Sequence, residues 1–169
     1  FEDSQLQMIF TLCHPAIPAE SQVALALRTL CGFSIEEIAK AFLTNKETIN
    51  KRLYRAKEKI RSENLQMHMP SSTELNGRLE SVLQTIYLLF NEGYYSSSQE
   101  VIVRKELCLE AMRLCLLLVN HKMTNLPYVN ALMAIMCFHV SRFESRLVNG
   151  EVLSWHEQNR SLWDKDLIN

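Results

Sequence analysis

Apolar residues along this chain recur three and four positions apart, the period of helices that bury one face. Leu6, Ile9, Phe10 and Cys13 form a first stripe, and Val23, Leu27 and Leu30 a second. Two closely spaced runs follow, Ile35, Ile38, Ala39 and Phe42, then Ile49, Leu53, Ala56 and Ile60. Beyond a polar stretch at 62–73 come Leu75, Leu79, Val82, Ile86 and Phe90, then Leu107, Ala111, Leu114 and Leu118, then Val129, Leu132, Met136 and Val140. A last short helical segment is expected at 157–168. No run shows the alternation of a half-buried strand, and no internal repeat is seen. The pattern predicts an all-α chain in three parts: a helix-turn-helix unit at 1–63, a linker at 64–73, and about four further helices in an extension at 74–169.

Glycine and proline punctuate the pattern. Pro15 and Pro18 bracket a turn, Gly32 suits the position just past a helix end, Pro70 marks the linker, Gly93 is expected to end a run, Pro127 to open one, and Gly150 to lie in a turn.

Local chemistry is densest at 33–61. Ser34 with Glu37 reads as a capping box: the hydroxyl accepts from an early backbone N–H and the carboxylate reaches back. Thr44 with Glu47 reads as a second box, with Asn45 as the alternative cap. Two short helices joined by so tight a turn make a helix-turn-helix, and the small Ala39 permits a close crossing. The second helix carries its apolar stripe on one side and Lys46, Glu47, Asn50, Lys51 and Tyr54 on the other. A major groove admits such a helix, with its N-terminal residues against base edges. Lys46, Glu47, Asn50 and Lys51 are therefore the expected base readers. Arg52, Arg55, Lys57 and Lys59, with Arg28 from the preceding helix, are expected on phosphates, where they position without reading sequence.

Charge sharpens this picture. The whole chain carries a net −1, yet residues 45–61 hold seven basic and two acidic side chains, a local +5 that leaves −6 for the rest. Segregation of that kind marks a face for an anion. Residues 64–169 hold nine basic and eleven acidic side chains, so the extension is a poor DNA surface. At 169 residues, 47% hydrophobic and 22% charged, the chain has the composition of a packed domain rather than a disordered one.

At these residues the chain resembles region 4 of bacterial sigma-70-type factors, in the extracytoplasmic-function (ECF) group. The match runs over QVALALRTLCGFSIEEIAKAF and TINKRLYRAKEKIR, closest at Thr48-Ile49-x-x-Arg52-Leu53-x-x-Ala56. The preceding LQMIFTLCHPAIP, and YLLFNEGYYSSS, LCLEAMRLCLLL, ALMAIMCFHVSRFESR and QNRSLWDKDLI further on, resemble sigma factors with a C-terminal helical extension; Asn159 stands where that likeness leads one to expect Asp. The resemblance implies promoter DNA as a partner, read at its −35 element, and core RNA polymerase as another, docked through its β flap. Region 2 of such factors, which grips the −10 element and is a further implied partner, has no counterpart in these residues. The start at Phe1 rather than Met and the missing region 2 leave two expectations: a piece of a longer protein, or a protein that has lost promoter opening. The alternatives are a helix-turn-helix regulator that is not a sigma factor, or a helical scaffold for another protein.

Other function classes find little support. There is no Gly-rich phosphate loop, HExxH or GxSxG, and Cys137 and His139 are two apart on a helix, where they point in different directions. No enzyme activity, catalytic residue, cofactor or metal is expected. Five cysteines without CxxC pairs read as free thiols of the cytoplasm. The most apolar stretch, 128–140, is too short for a bilayer, and no leader is apparent, so no membrane is expected. In the extension, NEGYYSSS reads as a helix end with aromatics packing back, with a polar site or a contact for another part of the factor or for polymerase as the alternative. Arg142, Arg146, Arg160, Trp155, Trp163 and Asp164 are expected to form an ion-pair and aromatic cluster.

Overall fold

The computed structural model describes residues 2–95, 101–149 and 151–169. Eight α-helices occur among them: α1 Glu2–Leu12, α2 Ala19–Thr29, α3 Ile35–Ala41, α4 Lys46–Ser62, α5 Leu75–Tyr95, α6 Val101–Asn120, α7 Pro127–Val140 and the single turn α8 Phe143–Arg146. The expected stripes are the buried faces: Leu6, Ile9 and Phe10 on α1, Val23 and Leu27 on α2, Leu79, Val82, Ile86 and Phe90 on α5, Leu107, Ala111, Leu114 and Leu118 on α6. The chain is all-α, with a helix-turn-helix ahead of a helical extension.

Helix ends follow the local chemistry with a few shifts. Ser34 and Glu37 form both bonds of the capping box on α3. For α4 the cap is Asn45, whose side chain accepts from the Thr48 N–H at 2.8 Å, and not Thr44. The turn closes one residue late because Leu43 takes a left-handed φ of 47° and the Thr44 N–H donates to the Ala39 carbonyl at 2.9 Å. Gly32 sits two residues past the C-cap Leu30, with φ 74°, where the chain reverses and the Phe33 N–H returns to the Leu27 carbonyl. Pro127 opens α7.

Three expectations in the extension need correction. Gly93 does not end α5: the helix runs on to Tyr95, with Gly93 buried inside it. A helical glycine costs about 1 kcal/mol, which packing offsets here. The Tyr94 ring stacks on Phe90 at 5.7 Å, and the Arg146 guanidinium lies 3.8 Å above it. Residues 96–98 of NEGYYSSS, and Gly150, lie outside the described residues. The segment 157–168 is not an α-helix but a strap with one 3-10 turn, Arg160–Leu162. The neutral Asn159 caps that turn, accepting from the Ser161 N–H and hydroxyl at 3.0 and 2.7 Å. A two-residue antiparallel pair, β1 Leu147–Val148 with β2 Glu151–Val152, precedes the strap, too short to leave an alternating pattern in sequence.

The aromatic cluster forms. Trp155 and Trp163 meet at 5.1 Å, and the Arg142 and Arg160 guanidinia lie 5.3 and 5.0 Å from the Trp155 ring. Asp164 caps its own turn, accepting from the Asp166 N–H at 3.0 Å, while its backbone N–H donates to the Ser141 carbonyl at 2.8 Å.

Both halves share one continuous core from Leu6 to Phe143. Helices α5 and α6 pack on α1, α2 and α3. Between α4 and α5 the backbone is irregular, yet Pro70 is buried, Leu65 and Met69 pack against the core, and Thr11 Oγ1 donates to the Gln66 carbonyl at 3.3 Å. All five cysteines are free thiols. Cys108 and Cys115 are fully buried, and that burial pushes each thiol up to about 12.

Candidate nucleic-acid interface

The candidate surface is built on α4. Its inner face drops Ile49, Leu53 and Ala56 into the core against α2 and α3, and Ile60 follows half-buried. Those contacts fix the helix rotation, so the remaining positions must face outward. Lys46, Glu47, Asn50, Lys51, Tyr54, Arg55 and Lys57 are all exposed. The four expected base readers thus share one exposed side of the first turns of α4. Glu47 also sits at the N-terminus, where the helix dipole favours a carboxylate.

Most of these cations already have a carboxylate beside them. Lys46 Nζ pairs with Glu36 of α3, across the turn. That hydrogen bond, and then the ammonium charge, hold the Glu36 carboxyl below its usual range. Lys51 Nζ lies 2.7 Å from Glu47 on the same helix. Lys59 lies 2.7 Å from Glu63, and Arg61 pairs with Glu58. Exposed pairs of this kind contribute little to stability and are screened by salt, so they orient the side chains without withholding them from an anion.

Arg52 differs from the others. Its side chain is only 22% exposed, lies 2.8 Å from Glu20 at the start of α2, and places its guanidinium 5.9 Å from the Phe42 ring. It ties α4 to α2 and α3 at once. Beside it opens a cleft of about 400 Å³, with Pro18, Ala19, Glu20 and Ser21 on one wall and Thr48, Lys51, Arg52 and Arg55 on the other. Three of the expected cations therefore converge on one concave surface. Arg28 stands apart, eight residues along α2 from Glu20, about 12 Å of helix rise. Its Nη1 donates to the Phe33 carbonyl at 2.9 Å, which fastens the turn into α3.

Glu36, Glu20 and the wall at 18–21 were not anticipated from sequence. Their partners lie ten and thirty-two residues away, and no local pattern joins them. Among the described residues no group of three or more His, Cys, Asp or Glu is arranged to hold a metal ion, and no helix is long and apolar enough to cross a membrane.

A helix with cations on its outer face, set across a short turn from a capped partner helix, makes a helix-turn-helix with a basic outer side. Comparison with known families agrees: Sigma-70, region 4 matches residues 7–60, a DNA-binding and non-enzymatic type of domain. Residues 78–169, over half of the chain, match the family of unknown function DUF6596, and the chain belongs to that family, with a sigma-70 region 4 ahead of the DUF6596 domain. An uncharacterized protein of Rhizobium meliloti (strain 1021) is 35% identical over 169 residues, which is 99% of this chain and 40% of that protein. The chain thus spans well under half the length of this relative. No solved structure matches.

Proposed function

We propose that this chain is the C-terminal part of an ECF-type RNA polymerase sigma factor. Residues 1–63 form its promoter-reading unit, and residues 74–169, after a linker at 64–73, form a regulatory extension. In this reading Lys46, Glu47, Asn50 and Lys51 meet base edges of the −35 element. Lys and Asn donate to guanine or pair with adenine, and Glu accepts from cytosine. Arg52, Arg55, Lys57, Lys59 and Arg28 serve the phosphates. Core RNA polymerase, through its β flap, and region 2 are the protein partners, and the work is done in the cytoplasm without a cofactor.

The observation that supports this best is the division of α4 into a core-facing apolar edge and an outer edge rich in Lys and Arg. The test is fluorescence anisotropy on promoter duplexes over a salt series. With about four cations on phosphate, log affinity falls against log salt with a slope of roughly −3.6. A flat salt response overturns the reading. Run-off transcription with core polymerase, by the full-length protein with and without residues 74–169, then tests the sigma assignment and the role of the extension.

A further inference from the structure

One side chain joins the extension to the wall of the basic cleft. Gln22 lies on α2, next to the cleft residues Glu20 and Ser21, and is 4% exposed. A buried primary amide has two N–H donors and an oxygen with two lone pairs, and it is stable there only if these are used. All are used. Nε2 donates to the carbonyls of His14 at 3.0 Å and Ile17 at 2.7 Å, both in the turn leading into α2. Oε1 accepts from the hydroxyls of Thr85 at 2.6 Å and Ser81 at 3.3 Å, both on α5.

Local bonds hold part of that turn: the Ile17 N–H donates to the His14 carbonyl at 2.8 Å and the Ala16 N–H to His14 Nδ1 at 3.1 Å. The N-cap of α2 is Pro18, which offers no side-chain cap, and the Ser21 and Gln22 N–H groups both return to its carbonyl. Gln22 adds the tie that joins the entry to α2, and with it the wall at 18–21, to α5. Thr85 is itself 2% exposed, and its hydroxyl also lies 3.0 Å from the Ser81 carbonyl. The network is neutral throughout and joins the turn before α2, α2 itself and α5. Networks of this kind specify one arrangement when every member is satisfied.

We infer that Gln22 is a positioning residue for the DNA interface, and that Thr85 on α5 holds it in place. The extension thereby sets the geometry of the cleft lined by Lys51, Arg52 and Arg55. The inference rests on the DNA-binding reading above.

The test uses the whole chain, a mixed-sequence DNA duplex and two variants. Thr85→Val keeps the side-chain shape and removes the hydroxyl, and Thr85→Ser keeps the hydroxyl. Thr85→Val should weaken duplex binding about five- to tenfold, the lower part of the usual range of coupling between sites, and Thr85→Ser should stay within about twofold. Amide hydrogen exchange at Ile17, Ser21 and Gln22 should quicken in Thr85→Val while the Leu53 amide in α4 keeps its rate. Wild-type affinity in Thr85→Val, or an exchange increase shared equally by all helices, would overturn the inference and leave the DNA reading standing. Failure of the unaltered chain to bind the duplex would overturn both. Localised exchange in that case would still separate a latch that exists from a DNA role that does not.

Discussion

Helices α4 and α7 both bury one stripe and leave the rest to solvent, but they offer solvent opposite chemistry. Nine of the seventeen residues of α4 are charged, whereas α7 has no Asp, Glu, Lys or Arg among its fourteen. On α7 the exposed positions include Tyr128, Ala131, Ala134, Ile135 and Phe138, the last two at 51% and 52%. Burial decides where each helix sits, and only the outer face says what it meets. For α4 that face names an anion. For α7 it names nothing by charge, although the helix is as firmly packed, through Val129, Met136 and Val140.

The widest expected separation between the two faces is in stability. Leu53→Asp puts an unpaired charge at a 6% exposed position and should cost more than about 4 kcal/mol, enough to unfold the helix-turn-helix. Ile135→Asp, on the exposed side of α7, should change stability by less than about 0.5 kcal/mol. Thermal melts by circular dichroism read both. Equal losses would mean that the outer face of α7 is not a solvent face.

DNA affinity divides the outer face of α4 within itself. Asn50→Ala should relax preference at one base pair, losing about 1–3 kcal/mol of discrimination. Lys57→Ala should weaken all duplexes alike and make the salt slope shallower by about 1. Binding to single-base variants of the duplex over a salt series distinguishes the two. A uniform loss from Asn50→Ala would move that residue from reading to positioning.

How much of this was legible follows from how far each interaction reaches. The buried stripe of α4, the Ser34–Glu37 box and the segregated charge are local patterns, and the structure reproduces them. Gly93 misled because a helix-breaking preference of about 1 kcal/mol is smaller than what Tyr94 gains by packing on Phe90 under Arg146. The strap at 157–168 misled because its Trp163 packs on Trp155, outside the segment, rather than joining a helical stripe. Glu20 with Arg52, Glu36 with Lys46, and Gln22 with Thr85 were invisible because each joins separate elements. In the candidate interface the readable signal was the type and spacing of residues, and the unreadable part was which acids stand beside them.

The cap of α4 gives a smaller effect. Asn45→Ala removes the acceptor of the Thr48 N–H and should cost about 1 kcal/mol of stability, while Thr44→Ala should cost markedly less. Denaturant titration of both variants checks the order. The reverse order would return the cap to Thr44.

The smallest effect lies at the start of the extension and runs the other way. Gly77 stands in the first turn of α5, and a methyl group added there meets no other heavy atom within 4 Å. Its φ is not in the left-handed region, unlike that of Gly32. Alanine therefore adopts the same backbone without strain, and it leaves the unfolded chain with less freedom to lose. Gly77→Ala should stabilise the protein by about 0.4–1 kcal/mol, raising the denaturant midpoint without changing the slope of the transition. The position is exposed on a helix outside the basic face, so DNA affinity and its salt slope should stay as in the unaltered chain. A loss of stability would show that this residue needs its flexibility or its bare backbone, and would point to a contact at the start of α5 that a β-carbon obstructs.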